Sequence, residues 1–594
     1  MPQTPHGVRF ESNRPVVMGR NGMVCAGHPL AAQAGMAALQ RGGNAVDAAI
    51  ATAAALNVVE PNMSGIGGDG FIMVYDRQSG TLEVCNGTGA APYATDVDWY
   101  RKHGIPTKGI LSVSVPGLVD AWMAAHARYG TLSRAEVFDT AIALSENGFP
   151  VTHVLSGVIA GDRLLCEFPD SQAVFAPGGA PLRPGQVLRQ PGLARTFRAL
   201  ADGGRDAFYE GETARALVKF SEEQGGILSL KDLADCRSRW EAPISTTYHG
   251  HTVYEAPPNS SGHVLLQELN IVEQFDLKAL GCNTAESIHL MVEAKKLAFA
   301  DREAYMADPD WVDVPIAGML SRQYAAERAR LIDPDRAAGE VSHGDPWSYQ
   351  PANYSRRPRA RATAGAIQEE DTTCFVVVDR WGNAVCQLQS IQSSLGSSIV
   401  AGETGILLNN RMTYWHLDPD HVDCLQPGKR VRHTMNPIMV FRSPVPSPTG
   451  GGSGWGRPDS TANGGSRNGG SGPGSLALVC GTPGADTQVQ TNLQVITHVL
   501  DFGMTVAEAV EAPRWRNTHS PTESNIPHEC DNLLYVESRF PAGTLDGLRR
   551  RGHTLDVMHG WGASGSEMMI QVDDDNGALH GAADPRRDGY AIGW

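Results

Sequence analysis

One hairpin in the second half of the chain restricts the fold more than any other segment. Cys374–Asp379 (CFVVVD) and Ala384–Gln392 (AVCQLQSIQ) read as strands joined at Arg380-Trp381-Gly382-Asn383, a glycine-containing tetrapeptide suited to a tight turn. The first strand is apolar at successive positions, so both of its faces need cover, and an interior sheet supplies it. Further short strands are predicted over Phe71–Tyr75, Thr252–Ala256, Gly405–Leu408, Pro437–Phe441 and Leu476–Cys480. Around them lie helical patterns: His28–Gln40, a second helix capped by Asn44 and ending before Pro61, Gly117–Tyr129, Arg134–Asn147, Ala285–Met306 and Asp486–Phe502. Helices outside and strands through the interior predict an α/β (α+β) fold, a four-layer αββα sandwich. At 594 residues the chain suits one large layered domain with extensions, or two domains.

Composition excludes some partners. A formal charge of −16 gives an acidic surface that attracts neither nucleic acid nor an anionic membrane. No run of eighteen apolar residues occurs, and the N-terminal MPQTPHGVRFESNRPVV lacks the basic-then-apolar pattern of a secretory signal. Ten cysteines are scattered without a CxxC pair, which fits a reducing, cytoplasmic setting. Residues 444–475, with eleven glycines from Gly450 to Gly474, read as a disordered loop inflating a hairpin.

Several motifs carry less than they suggest. Gly65, Gly67 and Gly70 match the dinucleotide fingerprint, but a helix precedes them and a strand follows, the reverse of what a pyrophosphate needs. A glycine turn that packs a helix closely on a sheet is the better account, and no cofactor is expected. His416 and His421, with Asp418 and Asp420 between them, match no helix-borne zinc pair and read as a polar loop, so no metal is expected. Asp573 to Gly577 resembles a calcium loop in charge only, and Asn576-Gly577 between apolar runs is a hairpin turn.

The hairpin's first strand opens on Thr372-Thr373, directly after Glu369-Glu370-Asp371. Threonine is a good strand former, so the pair alone names no chemistry. A threonine at a newly cut N-terminus, however, carries its own base: an α-amine with a pKa of about 7.7–8.0. Attack of Thr372 on the Asp371 carbonyl would give an ester by N-to-O acyl shift, and water would then leave chains 1–371 and 372–594. Counting back from the turn places Ser390 opposite the start of the strand, within one residue, where its hydroxyl can meet Thr372. Gly481-Thr482-Pro483-Gly484-Ala485-Asp486 leads from a buried strand into a helix, so the amides of Gly484 and Ala485 can face an oxyanion.

With these residues in view, the chain resembles the γ-glutamyltransferase (glutathione hydrolase) family of N-terminal-nucleophile hydrolases. Blocks in one order carry the resemblance nearly end to end, among them VVEPNMSGIGGDGF, APPNSSGHVLLQELNI, TTCFVVVDRWGNAV, GTPGADTQVQ and GAADPRRDGY. The resemblance implies an αββα fold and autocatalytic maturation into a large subunit, 1–371, and a small one, 372–594. It also implies an acyl-enzyme on Thr372, with Thr373 in support and a second hydroxyl at Ser390. A dimer of heterodimers is compatible with it.

The pocket for a γ-glutamyl head departs from the family pattern. Ala94-Thr95-Asp96 stands where an ATR segment would hold the substrate carboxylate, and Tyr414 where an acid would hold its amine. Gln392 replaces an asparagine, His433-Thr434 a serine pair, and Ala485 the second glycine of the oxyanion turn. Losing two charge-assisted contacts, each worth roughly 1.5–3 kcal/mol, disfavours glutathione and points to the family's acylase-like branch. The expected substrate is a small-molecule amide, with Arg411 a partner for an anionic acyl tail unless a neighbouring acid pairs with it. Competing readings are a true γ-glutamyl transpeptidase and a non-catalytic paralogue kept for binding. Dividing 63.5 kDa by chain length predicts bands of about 40 and about 24 kDa on a denaturing gel, and a single band for Thr372→Ala; an intact wild-type chain would count against self-processing.

Overall fold

The computed structural model describes residues 12–351, 370–443, 473–519, 531–573 and 575–594, with backbone only at Glu370 and Asp371. Two seven-stranded antiparallel sheets face each other. The first runs Tyr590–Gly593, Gly22–Ala26, Glu370–Asp379, Ala384–Ser393, Asp69–Asp76, Thr81–Gly87, Arg239–Glu241. The second runs Val17–Gly19, Leu579–Ala583, Met568–Val572, Ser475–Gly481, Ile438–Arg442, His251–Glu255, Ile244–Tyr248.

Strand alternation explains why sheets and helices stack in four layers. Cys374, Val376 and Val378 point between the sheets, with Leu388 and Phe71 from neighbouring strands and Met439 and Ile570 from the opposite sheet. Phe375 and Val377 point the other way, into a core shared with the helices Pro29–Gln40, Ala45–Val59 and Leu118–Tyr129. A third core packs Gly262–Val272, Ala285–Tyr305 and Thr487–Leu500 on the outside of the second sheet. The order is αββα, as the sequence pattern predicts.

Most expected elements appear within a residue or two. Asn44 accepts from the amides of Val46 and Asp47 and, with Asp47 bonding back, forms a capping box. The Asn576-Gly577 turn joins Met568–Val572 to Leu579–Ala583. The strand expected over Gly405–Leu408 is not one: Gly405 is left-handed at φ 68°, and the segment makes only isolated bridges, Val400 to Leu407 and Gly67 to Leu408. Four residues wedged against a glycine turn have no room for a ladder on either side. The reading of 444–475 as a loop falls almost wholly outside the described residues. Among the described residues, no helix is long and apolar enough to cross a membrane.

The glycine run 65–70 serves packing, as expected. A Cβ on Gly68 would lie 2.2 Å from the Ser390 carbonyl oxygen, backbone that cannot yield. Gly68→Ala should therefore lower stability by about 1–3 kcal/mol, whereas Gly157→Ala, in the helix His153–Gly161 with nothing within 4 Å, should raise it by about 0.5–1 kcal/mol; urea unfolding of both variants reads the contrast.

Candidate active site

Hairpin register builds the site. Thr373 pairs with Gln389 and Asp371 with Gln392, so Ser390 and Ile391 together oppose Thr372 across a β-bulge. The return strand continues the row, for Ser390 pairs in register with Asp69. Thr372 has the parity of Cys374, Ser390 that of Leu388, and Asp69 that of Phe71, all facing the space between the sheets. Two hydroxyls and a carboxylate thus stand in a row across three adjacent strands. Bulges commonly re-aim side chains at such places, and Gln392, just past this one, holds φ at 86°.

Thr373 faces the helices instead. Its hydroxyl donates to the Glu60 carboxylate at 2.7 Å, in a buried setting. Glu60 caps the end of Ala45–Val59, so the helix terminus grips the residue next to Thr372. Ser390 Oγ accepts the Gln392 amide at 2.8 Å, tying the bulge to the hydroxyl.

The second sheet supplies the turn beyond Gly481. Gly484 has φ 118° and Ala485 φ 50°; the first is a glycine conformation, and the second costs a side-chain-bearing residue about 1 kcal/mol or more. The helix that follows is entered by the Thr487 amide bonding the Gly484 carbonyl at 2.8 Å. Asp486 is held by both terminal nitrogens of Arg302, at 2.5 and 3.0 Å. Tyr414 Oη donates weakly to the same carboxylate at 3.4 Å, which brings Tyr414 to the residue after Ala485. Thr434 Oγ1 lies 3.5 Å from Gln488 Nε2 in the same helix's first turn.

Arg411 is buried and already engaged. Its Nε lies 3.3 Å from Asp69 Oδ2, and its Nη1 donates to Gln392 Oε1. Asp69 also accepts the Gly89 amide at 2.8 Å, and His433 Nε2 stands 3.6 Å from the same carboxylate. Burial pushes the Asp69 carboxyl up to about 6, against the pull of Arg411. Burial first and Arg411 second hold His433 well below the usual imidazole range, so it is neutral near pH 7. Of the residues singled out in the sequence, Arg411 and His433 meet Asp69 and Gln392 meets Arg411, while Tyr414 and Thr434 stand by Asp486 and Gln488, just past the Gly484–Ala485 turn. Asp96 instead caps the helix Val97–His103, accepting the Trp99 amide at 2.9 Å.

Asp69 and Glu60 escaped the sequence reading. Asp69 sits inside a glycine run and Glu60 at a helix end before proline; the only signal for either was an acid in an otherwise apolar or glycine-rich stretch. His416 and His421, set aside on spacing, stack at 3.4 Å, each 3.9 Å from Glu303 Oε2. His421 Nδ1 accepts the Asp423 amide at 3.0 Å, which leaves its proton on Nε2, and Arg432 bonds the same Glu303 oxygen at 2.9 Å. The side chains of His416, His421 and Glu303 stand close enough together to share a metal ion, with Arg432 already bonded to the carboxylate.

Two facing sheets clad by helices, with a threonine at the head of a central strand and a helix-entry turn opposite, define an enzyme of the N-terminal-nucleophile hydrolase class. Residues 31–461 and 472–594 match the family Gamma-glutamyltranspeptidase, and the chain belongs to it. It is 35% identical to the glutathione hydrolase-like YwrD proenzyme of Bacillus subtilis (strain 168), over 97% of this chain and 99% of that one. It is 34% identical to the acylase ACY 1 proenzyme of Pseudomonas sp. (strain SE83), over 99% and 96%. The crystal structure of cephalosporin acylase from Bacillus halodurans superposes with a TM-score of 0.84 at 34% identity, covering 99% of both chains.

Asp69 offers a direct electrostatic test. Its carboxyl ionises at about 6 in the fold against 3.8 ordinarily, so the folded state holds the proton more tightly and ionisation costs stability. Relative to Asp69→Asn, the wild type should be favoured most below pH 4 and lose on the order of 3 kcal/mol as the pH rises through about 6. Denaturant unfolding of both proteins from pH 4 to 7.5 measures it; a pH-independent difference would mean an ordinary carboxyl.

Proposed function

We propose that Thr372 is the nucleophile of a self-processing amidohydrolase or acyltransferase, acting on an amide of a small molecule. The observation that carries the reading is the row Thr372, Ser390, Asp69 across three strands of one sheet, with the Gly484–Ala485 turn following a strand of the facing sheet. In the precursor the Thr372 hydroxyl attacks the Asp371 carbonyl, the peptide nitrogen leaves as the new α-amine, and water hydrolyses the ester. The result is a large subunit, 1–371, and a small subunit, 372–594, that stay together as a heterodimer because the cut strand remains paired on both sides.

In the mature enzyme the α-amine takes the Thr372 proton as the hydroxyl attacks the substrate carbonyl. The amides of Gly484 and Ala485 stabilise the oxyanion, and the amine leaves with a proton returned to it. Water releases the acid, or a second amine takes the acyl group. Ser390 orients the nucleophile, and Thr373 fixes its strand through Glu60. Gln392, Arg411, Tyr414, His433 and Thr434 wall the acyl pocket. The nine described cysteines are unpaired, which supports the cytoplasm as the working compartment.

The pocket residues place no free acid at Tyr414 and no arginine at Asp96, so a zwitterionic γ-glutamyl head lacks both of its charge partners. The processed enzyme should turn over a glutaryl or other desamino acyl p-nitroanilide with kcat/KM at least about tenfold above γ-glutamyl-p-nitroanilide. A preference for the γ-glutamyl compound, accelerated by glycylglycine, would sink this reading of the pocket and favour a transpeptidase.

A further inference from the structure

Arg411 is a buried cation bonded to Asp69, the end member of the row, which gives it an internal counter-ion. Asp69 and Arg411 are both almost fully buried, at 0% and 2% exposure, and their 3.3 Å contact is made in a low-dielectric interior, where an isolated charge is felt strongly and a paired one weakly. Asp69 has little freedom to turn away. Its backbone follows Gly68, packed so closely that a Cβ there would lie 2.2 Å from the Ser390 carbonyl oxygen, and its other oxygen is fixed by the Gly89 amide. Gln392 occupies a further edge of the guanidinium, and the imidazole of His433 lies beside the same carboxylate. Asp69 stands two strands from Thr372, roughly 10 Å at about 4.8 Å per strand, near the reach of a five-carbon acyl group bound to the threonine.

We propose that Asp69 is a specificity-determining residue that neutralises Arg411 and so selects acyl groups with an uncharged end over those ending in a carboxylate. The inference rests on the Thr372 hydrolase reading and sharpens its substrate class. Without Asp69, a carboxylate at the far end of the acyl group would face an uncompensated guanidinium across the Gln392 amide. With Asp69 present, that same carboxylate meets an ion pair whose negative member points into the row.

The test uses the two-chain enzyme and a matched pair of anilides, pentanoyl-p-nitroanilide and glutaryl-p-nitroanilide, which differ in a terminal methyl against a carboxylate. Asp69→Asn should raise the glutaryl-to-pentanoyl ratio of kcat/KM at least tenfold, mainly through a lower KM for the glutaryl compound, and adding Arg411→Gln should abolish the gain. An unchanged ratio in Asp69→Asn would overturn the proposal. If Asp69→Asn fails to fold or mature, Arg411→Gln alone decides: a ratio within threefold of wild type supports a masked Arg411, and a selective loss of glutaryl turnover of tenfold or more refutes it. Calorimetric binding of glutarate and pentanoate separates this inference from the hydrolase reading. Should wild type hydrolyse neither anilide, tighter glutarate binding by Asp69→Asn keeps the counter-ion role while the reaction assignment fails, and equal binding rejects the role.

Discussion

The pairing of Glu370–Asp379 with strands on both sides is the interaction on which the rest depends. Gly22–Ala26 holds one edge and Ala384–Ser393 the other, so the strand sits in the middle of a sheet whose two faces are both covered. Just past the head of the strand, Thr373 is laddered to Ala384–Ser393, and from Phe375 the strand is laddered on both edges with a core on each face. That is why a chain break at its start need not loosen it: the ladders begin just beyond the cut, and every later residue of the strand is anchored. Rigid support of this kind is what positioning for acyl transfer requires, because a small displacement of a nucleophile costs orders of magnitude in rate.

Around that strand, charge is arranged in closed pairs. Asp69 meets Arg411, Asp486 meets Arg302, and Glu303 is shared by Arg302 and Arg432. Removing one member of a buried pair leaves an uncompensated charge at a cost of several kcal/mol, so the members constrain one another's replacement. For the proposed acyl pocket the consequence is a wall of paired ions that presents little net charge. Such a wall discriminates by shape and by dipoles, which suits a neutral acyl chain better than a zwitterion.

Periodicity made the helices and strands legible because each is long, buried and strongly patterned. Ala45–Val59 with its Asn44 cap, and the 372–392 hairpin with its turn, are examples. Register could be counted from the turn to within one residue, and the bulge opposite Thr372 is the residue of uncertainty that counting could not remove, since bulges leave no composition signal of their own. Candidate residues are legible where a motif carries them, as with Thr372 and Gly484. They were not legible where the partner lies far away in sequence: Glu60 is 313 residues from Thr373, and Asp69 is 342 from Arg411. Arg411 shows the limit best, since one sequence allows both a substrate cation and a satisfied ion pair, and only the tertiary placement of Asp69 distinguishes them.

Strain points to the same place as charge does. Gln392 and Ala485 are both side-chain-bearing residues at positive φ, one in a strand of the first sheet and one in the turn beyond a strand of the second, and each conformation costs on the order of 1–3 kcal/mol that the surrounding packing must offset. Relaxing Gln392 would move its side chain off Arg411, and relaxing Ala485 would swing the amide that follows Gly484. In the proposed reaction the two costs hold its two sides, the counter-ion pair that would set which acyl group is admitted and the amides that would meet the developing oxyanion. A scaffold with both faces of both sheets buried can bear those costs, and this links the four-layer fold to the chemistry proposed for it.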